Sequence, residues 1–267
     1  MNLTIRFACF FGAITLTAIA SATPVEEVRA ILRDFLNQPN YTWQVSETRG
    51  KPEDRSRTPV TPPPPDWPEF HPEEASGQHE RGGYTKMYFF RGPHILPWGT
   101  TASTPWEGIT DQQEFWSGRW VFATPDGWRS LRELPNPPGV RGTPLNRSLG
   151  RWRPDLEIAI IVENLSWVEQ VAGNVFRAEL TASGATKIAS VTPSSFISFA
   201  RMHAENARVS VSFSVRDGSL VRYELSVDTD VSLPSPHRVH YDVARELTNL
   251  GTTFIDIPEE AVRRLRK

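Results

Sequence analysis

Apolar residues recur at helical spacing immediately after Ala22. Val25, Val28, Ile31, Leu32, Phe35 and Leu36 share one side of the repeat and leave Glu26, Arg29 and Arg33 outside. Thr23 supplies a cap, Pro24 suits the first helical position, and Glu26 completes a capping box. The pattern predicts an amphipathic helix that ends by Asn37 to Asn40 and must lie on something, then a strand over Tyr41 to Thr48. Two-residue alternation dominates the other end of the chain. Val209, Val211, Phe213 and Val215 alternate up to Arg216-Asp217-Gly218-Ser219, and Val221, Tyr223, Leu225 and Val227 alternate after it. This is an antiparallel hairpin with one apolar and one polar face. His237 to Leu247 repeats the alternation through Val239, Tyr241, Val243 and Leu247.

Between these ends the pattern is less regular. Tyr84 to Arg91 reads as a strand with Tyr84, Met87 and Phe89 available for packing, and residues 92–112 read as irregular. Glu114 to Phe122 forms a candidate hairpin around Ser117-Gly118, and Pro125-Asp126-Gly127 turns the chain into Trp128 to Leu134. Residues 135–154, rich in Pro, Gly and Arg, read as a connection. Asp155 to Val171 reads as a helix with Ile158, Ile161, Val162, Leu165 and Val168 on one face. Val175 to Leu180 is a short strand; Ala185 to Val191 and Pro193 to Met202 read as helices, the second capped by Thr192. Thr252 to Ile257 reads as a last strand and Pro258 to Arg266 as a short helix. The sum predicts an α+β fold over 23–267: one strongly curved antiparallel sheet packed on the N-terminal helix and on the helices of 155–202.

Two stretches change the picture. Arg6 precedes an apolar run from Phe7 to Ile19 that ends in Ala20-Ser21-Ala22, the small-x-small pattern of a signal-peptidase site. The run falls short of the ~20 apolar residues that span a bilayer. Residues 1–22 are therefore expected to be a cleaved signal peptide, placing a soluble chain in the periplasm or outside the cell. Cleavage removes Cys9, the only cysteine, and with it any disulfide or thiolate metal site. Cys9 stands at the start of the apolar run instead of its end, which disfavours a lipid anchor there. The second stretch, residues 50–82, holds eight prolines between Pro52 and Pro72. Proline fixes φ and cannot donate to a ladder, so the stretch is expected to be a polyproline-like or disordered insertion between two strands.

Charge adds little, with a formal net of −2 and no Lys/Arg stripe, which argues against nucleic acid as a partner. Nine tryptophans are many for this length and concentrate from Trp98 to Trp152. They serve either as core aromatics or as an exposed apolar or carbohydrate-binding surface. Candidate chemistry is sparse. His237 and His240 form H-x-x-H, but three residues along a strand put side chains on opposite faces. His71 and His79 lie among Glu69, Glu73, Glu74 and Glu80 in the proline-rich stretch, where a specific metal site is not expected. Asp228-Thr229-Asp230 lacks the glycine and later glutamate of a calcium loop and reads as a turn. No G-x-S-x-G, H-E-x-x-H, S-x-x-K or phosphate-cradling loop occurs after residue 22, so no catalytic residue, metal or cofactor is assigned and an enzyme is not expected.

The C-terminal residues carry a family resemblance. The Arg-Asp-Gly-Ser hairpin, the long alternating strand, Leu247-Thr248-Asn249-Leu250-Gly251-Thr252-Thr253, and Ile255-Asp256-Ile257-Pro258-Glu259-Glu260-Ala261 together resemble the end of LolA/LppX-type exported proteins. The resemblance spans 205–261, is weaker over 115–134 and fades across 50–112. It implies an incomplete antiparallel barrel wrapped around helices, with an apolar space that in characterised relatives receives lipids or lipoprotein acyl chains. The expectation is an exported protein binding a lipid, an acyl chain or a lipidated partner in that space. Its wall would be Ile31, Leu32, Phe35, Val209, Val211, Phe213, Tyr223, Leu225, Val239, Tyr241 and Val243. The alternative is an envelope protein–protein interaction or sensing module with a filled core.

Overall fold

The computed structural model describes residues 23–49, 74–90, 94–95, 101–102, 106–111, 119–130, 133, 153–192, 204–232 and 236–266. The expected signal peptide, the prolines of 52–72 and the helix expected over 193–202 lie outside the described residues. The chain begins with α1 (Pro24–Asn37), where Thr23 Oγ1 accepts the Glu26 amide at 3.4 Å. Val28, Leu32 and Phe35 form its buried side. Then follow β1 (Asn40–Arg49), β2 (Glu74–Glu80), β3 (Tyr84–Phe90), β4 (His94–Ile95), β5 (Thr101–Ala102), β6 (Trp106–Asp111), β7 (Val121–Thr124) and β8 (Gly127–Ser130). The second half comprises α2 (Pro154–Asn164), β9 (Leu165–Ala172), β10 (Val175–Leu180), α3 (Ala182–Val191), β11 (Ala204–Arg216), β12 (Ser219–Ser232), β13 (Pro236–Thr248) and α4 (Glu259–Leu265).

Eleven strands form one antiparallel sheet that does not close, in the order β8-β7-β6-β3-β2-β1-β13-β12-β11-β10-β9. β4 and β5 pair separately. The pairing of β1 with β13 joins the N-terminal strands to the C-terminal meander, with Val45 opposite Arg245 and Trp43 opposite Leu247. The β11–β12 hairpin turns on Asp217 and Gly218, both left-handed at φ 50° and 76°, the backbone of a tight primed turn. Its register sets Phe213 opposite Tyr223 and Val211 opposite Leu225, so the alternation read from sequence delivers one apolar face.

That inner face is covered by α1, α2 and α3, which share with it one large core. The outer face is covered at one end, where α4 sets Ala261 and Leu265 on Ile109 and Val121, with Tyr84, Trp128 and Ile257 around them. β7 is thus buried on both faces, Val121 outward and Phe122 inward. An ion pair from Arg264 to Glu133 ties α4 to the residues after β8.

The structure corrects five expectations. The helix expected to reach Val171 stops at Asn164, and Leu165–Ala172 is strand β9. The β9–β10 ladder shifts register before Leu180, which brings Leu165 and Val168 to the same buried side. That spacing of three is the one a helix also gives. Residues 74–80, expected within the insertion, form β2 between β1 and β3; tertiary placement overrides their weak strand composition. Trp106–Asp111, within the irregular stretch, is β6, which pairs antiparallel with β7; Ser117-Gly118, the expected hairpin turn, lies outside the described residues. Thr252 to Ile257 joins no ladder. It is held by β1: the Gly251 amide donates to the Asn40 carbonyl at 2.9 Å and the Thr253 amide to Asn40 Oδ1 at 2.8 Å. Asp228-Thr229-Asp230 is no turn but part of β12, with Arg238 bonding Asp228 at 2.7 Å and Asp230 at 3.5 Å.

Candidate functional site

The inner face is built by alternation on five neighbouring strands. β1 contributes Tyr41, Trp43 and Val45; β13 Tyr241, Val243 and Leu247; β12 Tyr223, Leu225 and Val227; β11 Val209, Val211 and Phe213; β10 Phe176 and Ala178. α1 lays Leu32 and Phe35 on this surface, with Ile31 half-buried beside them. The structure therefore gathers ten of the eleven wall residues expected from sequence into one cluster. The eleventh, Val239, stands opposite Thr229 in the ladder, and its side chain lies outside the described set. Tyr223, Leu225 and Val243 have 0% exposure, so the helices lie directly on them.

Sequence reasoning missed the polar groups on this face. The start of α2 places two carboxylates against the sheet. Glu157 accepts from Arg245 Nη2 at 2.7 Å through one oxygen and from the Tyr223 hydroxyl at 2.5 Å through the other. Glu157, Arg245 and Tyr223 are all at 0% exposure. Asp155 accepts from the Tyr41 hydroxyl at 2.5 Å and from Arg153 Nε at 2.9 Å, with Arg153 Nη2 bonding its second oxygen. The same Nη2 lies 3.2 Å from His79 Nε2, and His79 Nδ1 lies 2.9 Å from Thr85 Oγ1. His79, expected in a loose acidic loop, is instead buried on β2.

These contacts set protonation. Burial, with the Arg153 charge beside it, lowers His79 to about 4. Neutral at ordinary pH, its ring therefore accepts from Arg153 and donates to Thr85. Burial opposes the charge on Asp155, but Arg153 outweighs it and holds the carboxyl below the usual carboxylate range. Burial first and a carboxylate second push both Tyr41 and Tyr223 well above the ordinary phenol value, which keeps them donors. The bonds among these groups fix α2 across the seam between β1 and β13.

One signal for this cluster was available. In the run Val239, Tyr241, Val243, Arg245, Leu247 an arginine occupies an inward position, and a buried cation demands an anion. The anion, Glu157, comes from a distant helix and has no local signature. Among the described residues, no group of three or more His, Cys, Asp or Glu gathers as a metal site. None of the described helices is long and apolar enough to cross a membrane.

No family model and no curated protein matches the chain. In fold it is similar to the crystal structure of the lipoprotein LppX of Mycobacterium tuberculosis, at 10% identity over 86% of this chain and 96% of that one, with a TM-score of 0.42. It is similar likewise to LprF from Mycobacterium bovis, at 13% identity over 90% and 100% of the two chains, with a TM-score of 0.41. A DUF1329 family protein from Desulfovibrio piger is similar at 9% identity over 89% and 96%, with a TM-score of 0.30. The likeness is one of fold alone.

Proposed function

We propose that the chain is an exported protein that takes up a lipid, or the acyl chains of a lipidated partner, between the inner face of its sheet and the covering helices. The observation that carries this reading is the inner face: apolar side chains at every second position on neighbouring strands of a sheet that does not close. Each methylene moved from water to such a surface is worth about 0.8 kcal/mol, so acyl chains supply ample driving force. Because Tyr223, Leu225 and Val243 have no exposure left, entry requires a helix to lift. α2 is pinned to the sheet by the Glu157–Arg245 ion pair and by hydrogen bonds from Tyr41 to Asp155 and between Arg153 and His79. α1 instead rests on Val28, Leu32 and Phe35 with, among the described residues, one bond from Arg29 to the Leu165 carbonyl. In this reading α1 is the cover that yields.

The same full burial favours a second reading, an interaction or sensing module whose core is simply filled. Native mass spectrometry of the protein purified from its own envelope separates the two. The lipid reading expects adducts of lipid mass that organic extraction removes and that return on incubation with lipid. A single bare mass, with no uptake of a fluorescent acyl probe, would leave the filled core standing.

A further inference from the structure

We infer that Trp43 and Trp120 are the hydrogen-bond donors that select an ester-bearing lipid on the inner face; this rests on the proposed lipid reading. Both side chains are 1% exposed and belong to the main core. Their indole nitrogens meet no acceptor among the described residues. A buried N–H left this way forfeits the hydrogen bond it made to water, and a buried indole ordinarily finds a partner. Two such donors on one face of one core form a pair of matched requirements for an acceptor.

They also share a place in the sheet. Trp43, Gly77, Met87, Gly108 and Phe122 are successive ladder partners across β1, β2, β3, β6 and β7. A Cβ on Gly77 would stand 2.3 Å from the six-membered ring of Trp43. One on Gly108 would stand 3.0 Å from Phe122 and 3.4 Å from Trp120. The two glycines lower the floor of the sheet beneath the indoles, and Met87, an adaptable side chain, is the ladder position between them.

The acceptor it fits is neutral. The inward cations near this row are already paired, Arg153 with Asp155 and Arg245 with Glu157, so an anionic headgroup would enter without a counter-ion. A plain hydrocarbon brings no acceptor at all. An ester carbonyl brings a strong acceptor without charge and arrives with acyl chains attached.

The test uses wild-type protein labelled with nitrogen-15 at its indoles, whose nine tryptophans give nine N–H resonances. Trp43→Phe and Trp120→Phe assign the two that matter. Dioleoylglycerol should move both resonances downfield, and its dialkyl ether analogue should not. The diester should bind on the order of tenfold tighter than the diether, and the double Trp→Phe variant should bring the two to parity. A peptide bearing S-diacylglycerylcysteine, titrated alongside, distinguishes a lipidated protein from a free lipid as the source of the ester. If the diester binds while both resonances stay in place, or both lipids bind alike, the donor role is overturned and the lipid reading survives. If neither lipid binds, both fall.

Discussion

The first turn of α2 sends two carboxylates to the same sheet, and they reach different surroundings. Asp155 faces β1 through Tyr41, and its partner Arg153 reaches β2 through His79, with the Asp155 side chain still 22% exposed. Glu157 faces β12 and β13 through Tyr223 and Arg245, and both members of its ion pair are at 0%. One tie is reachable by water and includes a histidine; the other is sealed and includes none. Because β1 pairs with β13, the two ties straddle the seam where the N-terminal strands meet the C-terminal meander. The contrast teaches that a single helix turn can hold both halves of a sheet while only one half answers to acid.

The largest effect should come from breaking the sealed tie. Glu157→Leu leaves Arg245 buried without its anion, a change worth about 3–5 kcal/mol. Urea unfolding should show that loss, and Glu157→Leu/Arg245→Met should recover most of it because no lone charge remains. Asp155→Leu should cost less, about 2 kcal/mol, since water reaches that pair. An Asp155→Leu variant as damaged as Glu157→Leu would erase the difference between the ties.

Acid sharpens the comparison next. His79 titrates at about 4 in the folded chain, against about 6.5 when unfolded, so the unfolded chain takes up the proton first. Its contribution is complete above pH 6.5 and is lost as pH falls toward 4, a decline on the order of 3 kcal/mol. Asp155, held below the usual carboxylate range, adds a further loss once pH falls through its unfolded value near 4. Unfolding free energies at pH 7, 5 and 4 should trace this fall, and His79→Gln should flatten it between 6.5 and 4. A wild-type curve already level over that range would remove His79 as the acid-sensitive member.

How far these features are legible in sequence follows from where their physics is local. Alternation through Val209 to Phe213, Tyr223 to Val227 and Tyr241 to Leu247, and the Thr23 cap of α1, are satisfied by neighbours in the chain and read correctly. Val221 was misplaced, because a register shift beside the turn sets Leu220 in the core. β2 was hidden because its inward positions are Ala75, Gly77 and His79; the apolar mass over them belongs to Trp43 of the adjacent strand. β9 was hidden because a register shift imitates helical spacing. The apolar inner face on β11 to β13 was legible for the reason the hairpin was. The polar ties were not, because Arg245 and Glu157 meet only after the sheet and α2 are assembled.

The smallest effect compares the two phenols. Tyr41 and Tyr223 each donate at 2.5 Å to a carboxylate, and each is fully protonated far into alkali, so the bonds differ only in their surroundings. Replacing either with phenylalanine keeps the ring and removes one charge-assisted bond. At Tyr223 the abandoned Glu157 oxygen is sealed in the core, and the loss should be about 2 kcal/mol. At Tyr41 water can take over on the exposed edge of Asp155, and about 1 kcal/mol is expected. Paired urea titrations at pH 7 resolve a gap of that size, and the gap itself is the quantity of interest. Equal losses would mean that the exposure of Asp155 brings no usable water to its oxygen, and the two ties would then differ only through His79.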